Sequence, residues 1–222
     1  MAITLKPEDG NVHVLRLDDG ENRFTQDYLE SMSVCLDELE RLDGNAALVT
    51  TGVGKFFSNG LDLDWVGANP DGMGAYVHRI QDVFARLLSL PIPTVAAVNG
   101  HAFAGGGMLA LCHDFTVMRS DRGWFCLPEV EIGIPFTPGM SALIQSRLSK
   151  ATAHEAMVTA RRYTGAEAVE AGLAKQAVPE AEVLPRAIAL AASLAPKAGP
   201  TMAKIRTGMY RDVIEALRGS LG

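Results

Sequence analysis

Two separated glycine loops and one carboxylate are the residues of this chain whose types and spacing fit chemistry. They lie in Phe56-Phe57-Ser58-Asn59-Gly60-Leu61-Asp62-Leu63, in Asn99-Gly100-His101-Ala102-Phe103-Ala104-Gly105-Gly106-Gly107, and in Leu127-Pro128-Glu129-Val130-Glu131-Ile132-Gly133. Each loop follows an apolar run that reads as a strand, Ala47 to Thr51 and Thr94 to Val98, and leads into helical periodicity. Each can therefore aim an unpaired backbone N–H at a common point. Two such donors make an oxyanion hole, and Glu129 supplies a base beside it. Nucleotide readings of the glycines fail: Gly105-Gly106-Gly107 lacks the G-x-G-x-x-G spacing, and neither it nor Gly52-Val53-Gly54-Lys55-Phe56 leads into the Lys-Ser/Thr of a P-loop. The remaining alternative is that the three glycines serve only a tight turn and close helix packing.

The elements that must position these loops alternate. Ile3 to Leu5 and Val12 to Leu17 read as a hairpin around Pro7-Glu8-Asp9-Gly10. From Gln26 to Leu42, Leu29, Met32, Leu36 and Leu39 recur at helical spacing, with Thr25 as cap and Gly44 as stop. The rhythm continues with a helix from Tyr76 to Leu90, another from Gly106 to Cys112, and strands Phe115 to Met118 and Trp124 to Cys126. From Ser141 onward the chain is mostly helical, with Thr164 capping Ala166 to Ala171 before Gly172. The class is α/β.

At 222 residues and 48% hydrophobic content the chain can bury one sizeable core, and a single domain with a helical appendage is expected. Twenty Lys and Arg against 26 Asp and Glu give a net charge of −6 with no basic run, which argues against a nucleic-acid surface. Cys35, Cys112 and Cys126 are scattered in apolar surroundings and read as reduced core thiols, without a disulfide or metal site. No run is long and apolar enough for a membrane span, no leader pattern opens the sequence, and Gly219-Ser220-Leu221-Gly222 is not a Ser-Lys-Leu address. The cytoplasm is the expected location.

These segments resemble the crotonase (enoyl-CoA hydratase/isomerase) superfamily, and within it the monofunctional Δ3,Δ2-enoyl-CoA isomerases of the plant and peroxisomal type. The likeness is carried by Phe56 to Leu63, Asn99 to Ala102, Leu109 to Asp114, Met118 to Gly123 and Glu129 to Gly133, and it extends over residues 3 to 210. It implies a spiral of ββα units over 1–163, holding the CoA and active sites, and a C-terminal α-helical trimerisation region over 164–222. The implied partner is an acyl-CoA thioester, the implied assembly a homotrimer or dimer of trimers, and no cofactor is implied beyond the CoA of the substrate.

Carried over position by position, the two donors fall on the N–H groups of Leu61 and Gly106. Only the backbone of residue 61 need face the ligand, whereas a Cβ at 106 is expected to crowd the thioester oxygen. Each placed donor contributes about 3 kcal/mol to holding an enolate oxygen. Hydratases of the superfamily use two carboxylates around one water. The first falls here on Leu109 and the second on Glu129, so one acid is missing. A single base suffices for isomerisation: Glu129 removes a proton from C2 of a 3-enoyl thioester and returns it at C4, as β-oxidation of unsaturated fatty acids requires. Leu109 is expected to dry the pocket and raise the pKa of Glu129. CoA contacts are expected from Arg23, Phe57, Ser58, Asn59, Gly60, Leu61, Gly105, Gly106 and Leu109, with Lys55 a weaker candidate.

Alternatives stay open at this point. Glu131, two residues from Glu129, shares its face if the backbone is extended and is then a candidate second acid, although exposure favours a solvent or salt-bridge role. Hydration, thioester hydrolysis or another enolate chemistry follows if Glu131 or a neighbouring subunit supplies that acid. A noncatalytic acyl-CoA-binding protein follows if Glu129 is misplaced. His113-Asp114, read as adjacent strand residues on opposite faces, do not form a dyad. Asp62 reads as a loop-fixing side chain, His101 as loop packing, and Cys112 and Cys126 have no partnered base.

Overall fold

The computed structural model describes residues 3–221, so Met1, Ala2 and Gly222, at the ends of the two expected regions, lie outside it. Strands β1 (Ile3–Glu8) and β2 (Val12–Leu17) form the expected antiparallel hairpin. Its turn starts later than expected: Pro7 pairs opposite His13 on an edge strand, which needs no N–H from it, and Gly10 and Asn11 take the positive φ values of 74° and 60°.

Six strands follow in three pairs with helices between: β3 (Ala47–Gly52) then β4 (Phe56–Ser58), β5 (Thr94–Val98) then β6 (His101–Phe103), and β7 (Phe115–Arg119) then β8 (Phe125–Cys126), before a last short strand β9 (Gln176–Val178). The first member of each pair enters a six-stranded sheet, ordered β1-β2-β3-β5-β7-β9 and parallel beyond the hairpin. The second member enters a three-stranded parallel sheet, β4-β6-β8. Two strands in different sheets and then a helix is the repeating unit, and this is the crotonase-like spiral.

The helices are α1 (Gln26–Glu40), α2 (Leu63–Ala68), α3 (Met73–Ser89), α4 (Gly105–Leu111), α5 (Glu129–Ile132), α6 (Pro138–Arg147), α7 (Lys150–Thr159), α8 (Gly165–Glu170), α9 (Glu180–Leu194), α10 (Pro200–Met209) and α11 (Arg211–Arg218). Thr25 and Thr164 cap α1 and α8 as their positions suggest, the latter in a full capping box with Glu167. The segment 164–222 is not helical throughout: it supplies β9 to the large sheet and α9 to one sheet face. There Val183, Ala187 and Ala191, one turn apart, press on Val12, Val14, Ala47, Val49, Val95, Ala97 and Val117. The opposite face carries the larger core, including Tyr28, Leu36, Phe84, Leu109 and Leu217.

One buried ion pair ties the late helices to the strands. Arg206 of α10 is 5% exposed and donates to the carbonyl oxygens of Leu90 and Ile92, to Thr94 Oγ1 and to Asp114 Oδ1. Asp114 also accepts from the Thr94 N–H. His113 and Asp114 lie in the turn between α4 and β7, not on a strand as expected, because α4 ends at Leu111 and its last carbonyls draw the chain round. Each is satisfied separately: the His113 ring bonds Leu109 O at 2.9 Å and Thr50 Oγ1 at 2.8 Å, and burial lowers its pKa to about 4. Removing one partner of a buried pair strands the other. Arg206→Ala is therefore expected to cost about 3 to 5 kcal/mol in urea unfolding; a loss below about 1 kcal/mol would show that the clamp contributes little.

Candidate active site

The small sheet delivers the two glycine loops to one place. β4 pairs with β6, Phe56 beside His101 and Ser58 beside Ala102, so the chain leaves both strands at the same edge. The first loop is then wired internally. Asn22, wholly buried at φ 51°, donates from Nδ2 to the carbonyl oxygens of Phe56 and Phe57, both at 3.1 Å. The Ser58 hydroxyl donates to Asn22 O at 2.7 Å and accepts from the Gly60 N–H at 3.2 Å. Asp62 caps α2 by accepting from Trp65 N, and its own N–H donates to the Tyr76 hydroxyl at 2.8 Å. Asp62 thus fixes the loop, as its position suggests.

The second loop packs directly against the first. A Cβ on Gly60, at φ 77°, would come 2.7 Å from Gly105 N; a Cβ on Gly106 would come 2.1 Å from Ser58 O; and one on Gly105 would meet the Phe24 ring at 2.6 Å. The expectation that a Cβ at 106 crowds the ligand is corrected: it points at the first loop. Ala104, the residue before α4, sits at φ 50° and ψ −124°, a strained conformation for a residue with a side chain. Among the described residues the N–H groups of Leu61 and Gly106 donate to no acceptor, the second because it lies in the first turn of α4.

Glu129 opens α5, a single turn set between Pro128 and Gly133, which is left-handed at φ 70°. Its side chain is buried at 5% exposure, and among the described residues Oε2 has no hydrogen-bond partner. Burial drives its pKa up to about 7, with its own backbone amide pulling the other way. The turn is helical rather than extended, so Glu131 points some 200° around the axis from Glu129 and is exposed. It does not share the face of Glu129.

A cavity of about 310 Å³ brings Glu129 together with Leu61, Phe103, Ala104, Ile132 and Ile134, and with Arg23, Asn59 and Asp64 at its polar side. Of the residues expected at CoA, Arg23, Asn59 and Leu61 line it. Phe57, Ser58, Gly60, Gly105, Gly106 and Leu109 are buried behind it. Leu109 in particular belongs to the core, so the apolar wall next to Glu129 is Phe103, Ala104, Pro128, Ile132 and Ile134 instead. Arg23 is held by Glu21 at 2.8 Å and by Asp64 at 2.7 Å, the latter carboxylate 90% exposed. Lys55 is not at this cavity; its ammonium lies over the Phe56 ring on the far side of the sheet. Cys112 and Cys126 are buried thiols whose pKa burial raises, Cys126 to about 11.

The family model of enoyl-CoA hydratase/isomerase matches residues 8–220, almost the whole chain and every element of this site. The chain belongs to that family, the crotonase superfamily. An Arabidopsis thaliana protein named enoyl-CoA delta isomerase 3 is 36% identical over 215 residues, covering 92% of this chain and 90% of its own length. Enoyl-CoA delta isomerase 2, peroxisomal, from the same plant is 36% identical over 217 residues with the same coverage. Among solved structures, a Mycobacterium tuberculosis protein described once as an enoyl-CoA hydratase and once as an enoyl-CoA isomerase superposes over 100% of this chain and 93% of its own, with TM-score 0.92 at 26% identity. Human mitochondrial delta3-delta2-enoyl-CoA isomerase shares the crotonase fold, with TM-score 0.90 and 23% identity over 98% of this chain and 86% of its own. Membership thus accounts for the fold and for the order of the motifs.

Asn22 and Tyr76 are the supports of the first loop that the sequence reading missed. Asn22 carried one signal, an Asn in a Gly-Glu-Asn turn where left-handed backbone is tolerated; Tyr76 carried none.

The raised pKa of Glu129 has a thermodynamic sign. Its folded-state value lies above the ordinary 4.5, so the stability it confers is fully present below pH 4.5 and is lost as pH rises through about 7. Glu129→Gln removes the charge that burial penalises. It should raise the melting temperature at pH 8, by the equivalent of up to about 3 kcal/mol, and change it little at pH 4.5. Equal effects at both pH values would show that Glu129 is not ionising in a desolvated site.

Proposed function

We propose that the chain isomerises 3-enoyl-CoA to trans-2-enoyl-CoA with Glu129 as its single proton carrier. The observation that carries the reading is the makeup of the cavity: one buried carboxylate, titrating near neutrality, against an apolar wall and beside two loops with free backbone N–H groups. Glu129 as carboxylate takes the proton from C2, activated by the adjacent thioester carbonyl. Charge moves onto the thioester oxygen, where the Leu61 and Gly106 N–H groups stabilise the dienolate. The protonated Glu129 then delivers the same proton to C4, and the double bond comes to rest between C2 and C3. The step is balanced without water or any further reagent.

Hydration needs a second group to activate water. Asp64, the other acid lining the cavity, is exposed and engaged with Arg23, and Glu131 is turned away. The names of the plant relatives agree with the one-base reading. Arg23 and Asn59 at the polar side suit the CoA portion, with Leu61 and the apolar wall toward the acyl chain. The reading extends to β-oxidation of unsaturated acyl chains and to a homotrimer, for which exposed Val130, Ile132 and Val158 on the neighbouring α5 and α7 supply an apolar face. Three buried free thiols fit a reducing compartment such as the cytoplasm; the relative named peroxisomal makes the peroxisome the alternative.

The test is the rise in conjugated-enoyl absorbance with a 3-enoyl-CoA, run beside crotonyl-CoA hydration. Wild type should isomerise and hydrate negligibly, with kcat/KM rising as pH increases through about 7, because the base must be ionised. Glu129→Gln should lower isomerisation by about 10²- to 10⁴-fold. Hydration without isomerisation would replace the reading by a two-acid chemistry, and tight acyl-CoA binding with neither activity would replace it by a binding role.

A further inference from the structure

At the opposite end of the three-stranded sheet from the glycine loops, the starts of β4, β6 and β8 form a second cavity of about 430 Å³, lined by Lys55, His101, Ser120, Asp121, Arg122 and Trp124 among others. The sequence has no basic run, but the fold gathers cations from three segments here. The Lys55 ammonium stands 5.1 Å from the Phe56 ring centroid, and the Arg162 guanidinium 5.5 Å from that of Trp124. Among the described residues, Lys55, Arg122 and Arg162 form no ion pair. Among the described residues the one acid lining the cavity, Asp121, is already engaged by Arg119, which also pairs with Glu180.

The floor of the cavity is His101. It is 7% exposed, neither ring nitrogen has a hydrogen-bond partner among the described residues, and Nδ1 is completely enclosed. Its ring is held among Phe56 at 5.3 Å, Trp124 at 5.1 Å and Phe103 at 5.0 Å. Buried imidazoles are ordinarily bonded; Nδ1 is sealed among the aromatic rings, so the nitrogen left to meet a partner from outside the chain is Nε2. Burial, followed by the fields of Lys55, Arg122 and Arg162, lowers its pKa, so the cations converge on that floor. A carboxylate would need one cationic fork. Three cations that form no ion pair among the described residues, Lys55 and Arg122 at the wall and Arg162 over the half-exposed Trp124 ring at the rim, suit a dianionic tetrahedral oxyanion and have room for a planar group beside it.

We propose that this cavity is a second ligand site, taking a phosphate-bearing small molecule separately from the Glu129 cavity. The inference goes beyond the isomerase reading and stands without it. The two cavities meet only through the His101–Phe103 stack, His101 lining the one and Phe103 the other.

Isothermal titration calorimetry of the full chain with adenosine monophosphate and, separately, with inorganic phosphate tests it. Saturable binding is expected, accompanied by movement of the His101 imidazole resonances. Binding should weaken at least about tenfold in an R122Q/R162Q double variant, two exposed positions whose change leaves the core intact, and stay unchanged in Arg23→Gln and Glu129→Gln. Equal affinity for both probes would assign recognition to the phosphoryl group alone, and tighter nucleotide binding would add the Trp124 plane; either supports the site. Absence of saturable binding would overturn it, as would binding lost in Arg23→Gln but kept in the double variant, which would locate the phosphate at the Glu129 cavity.

Discussion

The site depends on one contact, the backbone-to-backbone approach of two loops at Gly60–Gly105 and Ser58–Gly106. There is no room for a Cβ at either place, because Gly105 N and Ser58 O occupy the positions it would need. The approach sets the distance between the loops, and with it the relation between the Leu61 and Gly106 N–H groups. It also explains why Ala104 is held at φ 50°: the chain must turn sharply out of β6 to start α4 against the first loop. The small sheet that presents the loops has strands of three, three and two residues and would be marginal alone. Its geometry is imposed by the large sheet, three of whose strands, β3, β5 and β7, hand the chain on to it.

Much of this frame was legible in the sequence because its signals are local. β3 and β5 are buried along their whole length and read as unbroken apolar runs, so their limits emerge to within a residue. Thr25 and Thr164 announce the helices they cap. The failures are equally physical. The helical turn over 129–132 is not legible because one turn is too short to show a 3.6-residue period, so the face of Glu131 stayed open in the sequence although its exposure was favoured. All of α4 is buried, so no polar face shows which way Leu109 points, and its place behind the cavity is invisible. Arg206 has its partner 92 residues away, and Lys55, Arg122 and the Arg162 that lies over Trp124 come to one end of the small sheet only after folding. Of the candidate site, the acid and the two loops were legible from type and order; their supports, Asn22 and Tyr76, were not, because each acts through a single long-range hydrogen-bonding position.

Two partly or wholly enclosed acids in this fold are treated in opposite ways, and the contrast separates a structural carboxylate from a reactive one. Asp114 receives hydrogen bonds from Arg206, the Thr94 N–H and the Thr94 hydroxyl, so its charge is compensated at every oxygen. Glu129 is more deeply buried and has an oxygen with no partner. A carboxylate whose oxygens all receive hydrogen bonds is committed to those donors and serves as an anchor. One left unpaired in an apolar wall has its two protonation states brought close in energy near pH 7, which is the condition for passing a proton in both directions. The free N–H groups of Leu61 and Gly106 follow the same logic. An unbonded buried polar group costs about 1 to 3 kcal/mol, and Glu129 Oε2 is such a group at this cavity, with the free N–H groups of Leu61 at its wall and of Gly106 behind it. The core on both faces of the large sheet and the Arg206 clamp offset that cost at a distance. The fold can therefore hold a site in which the groups lacking partners are the ones a thioester enolate would complete.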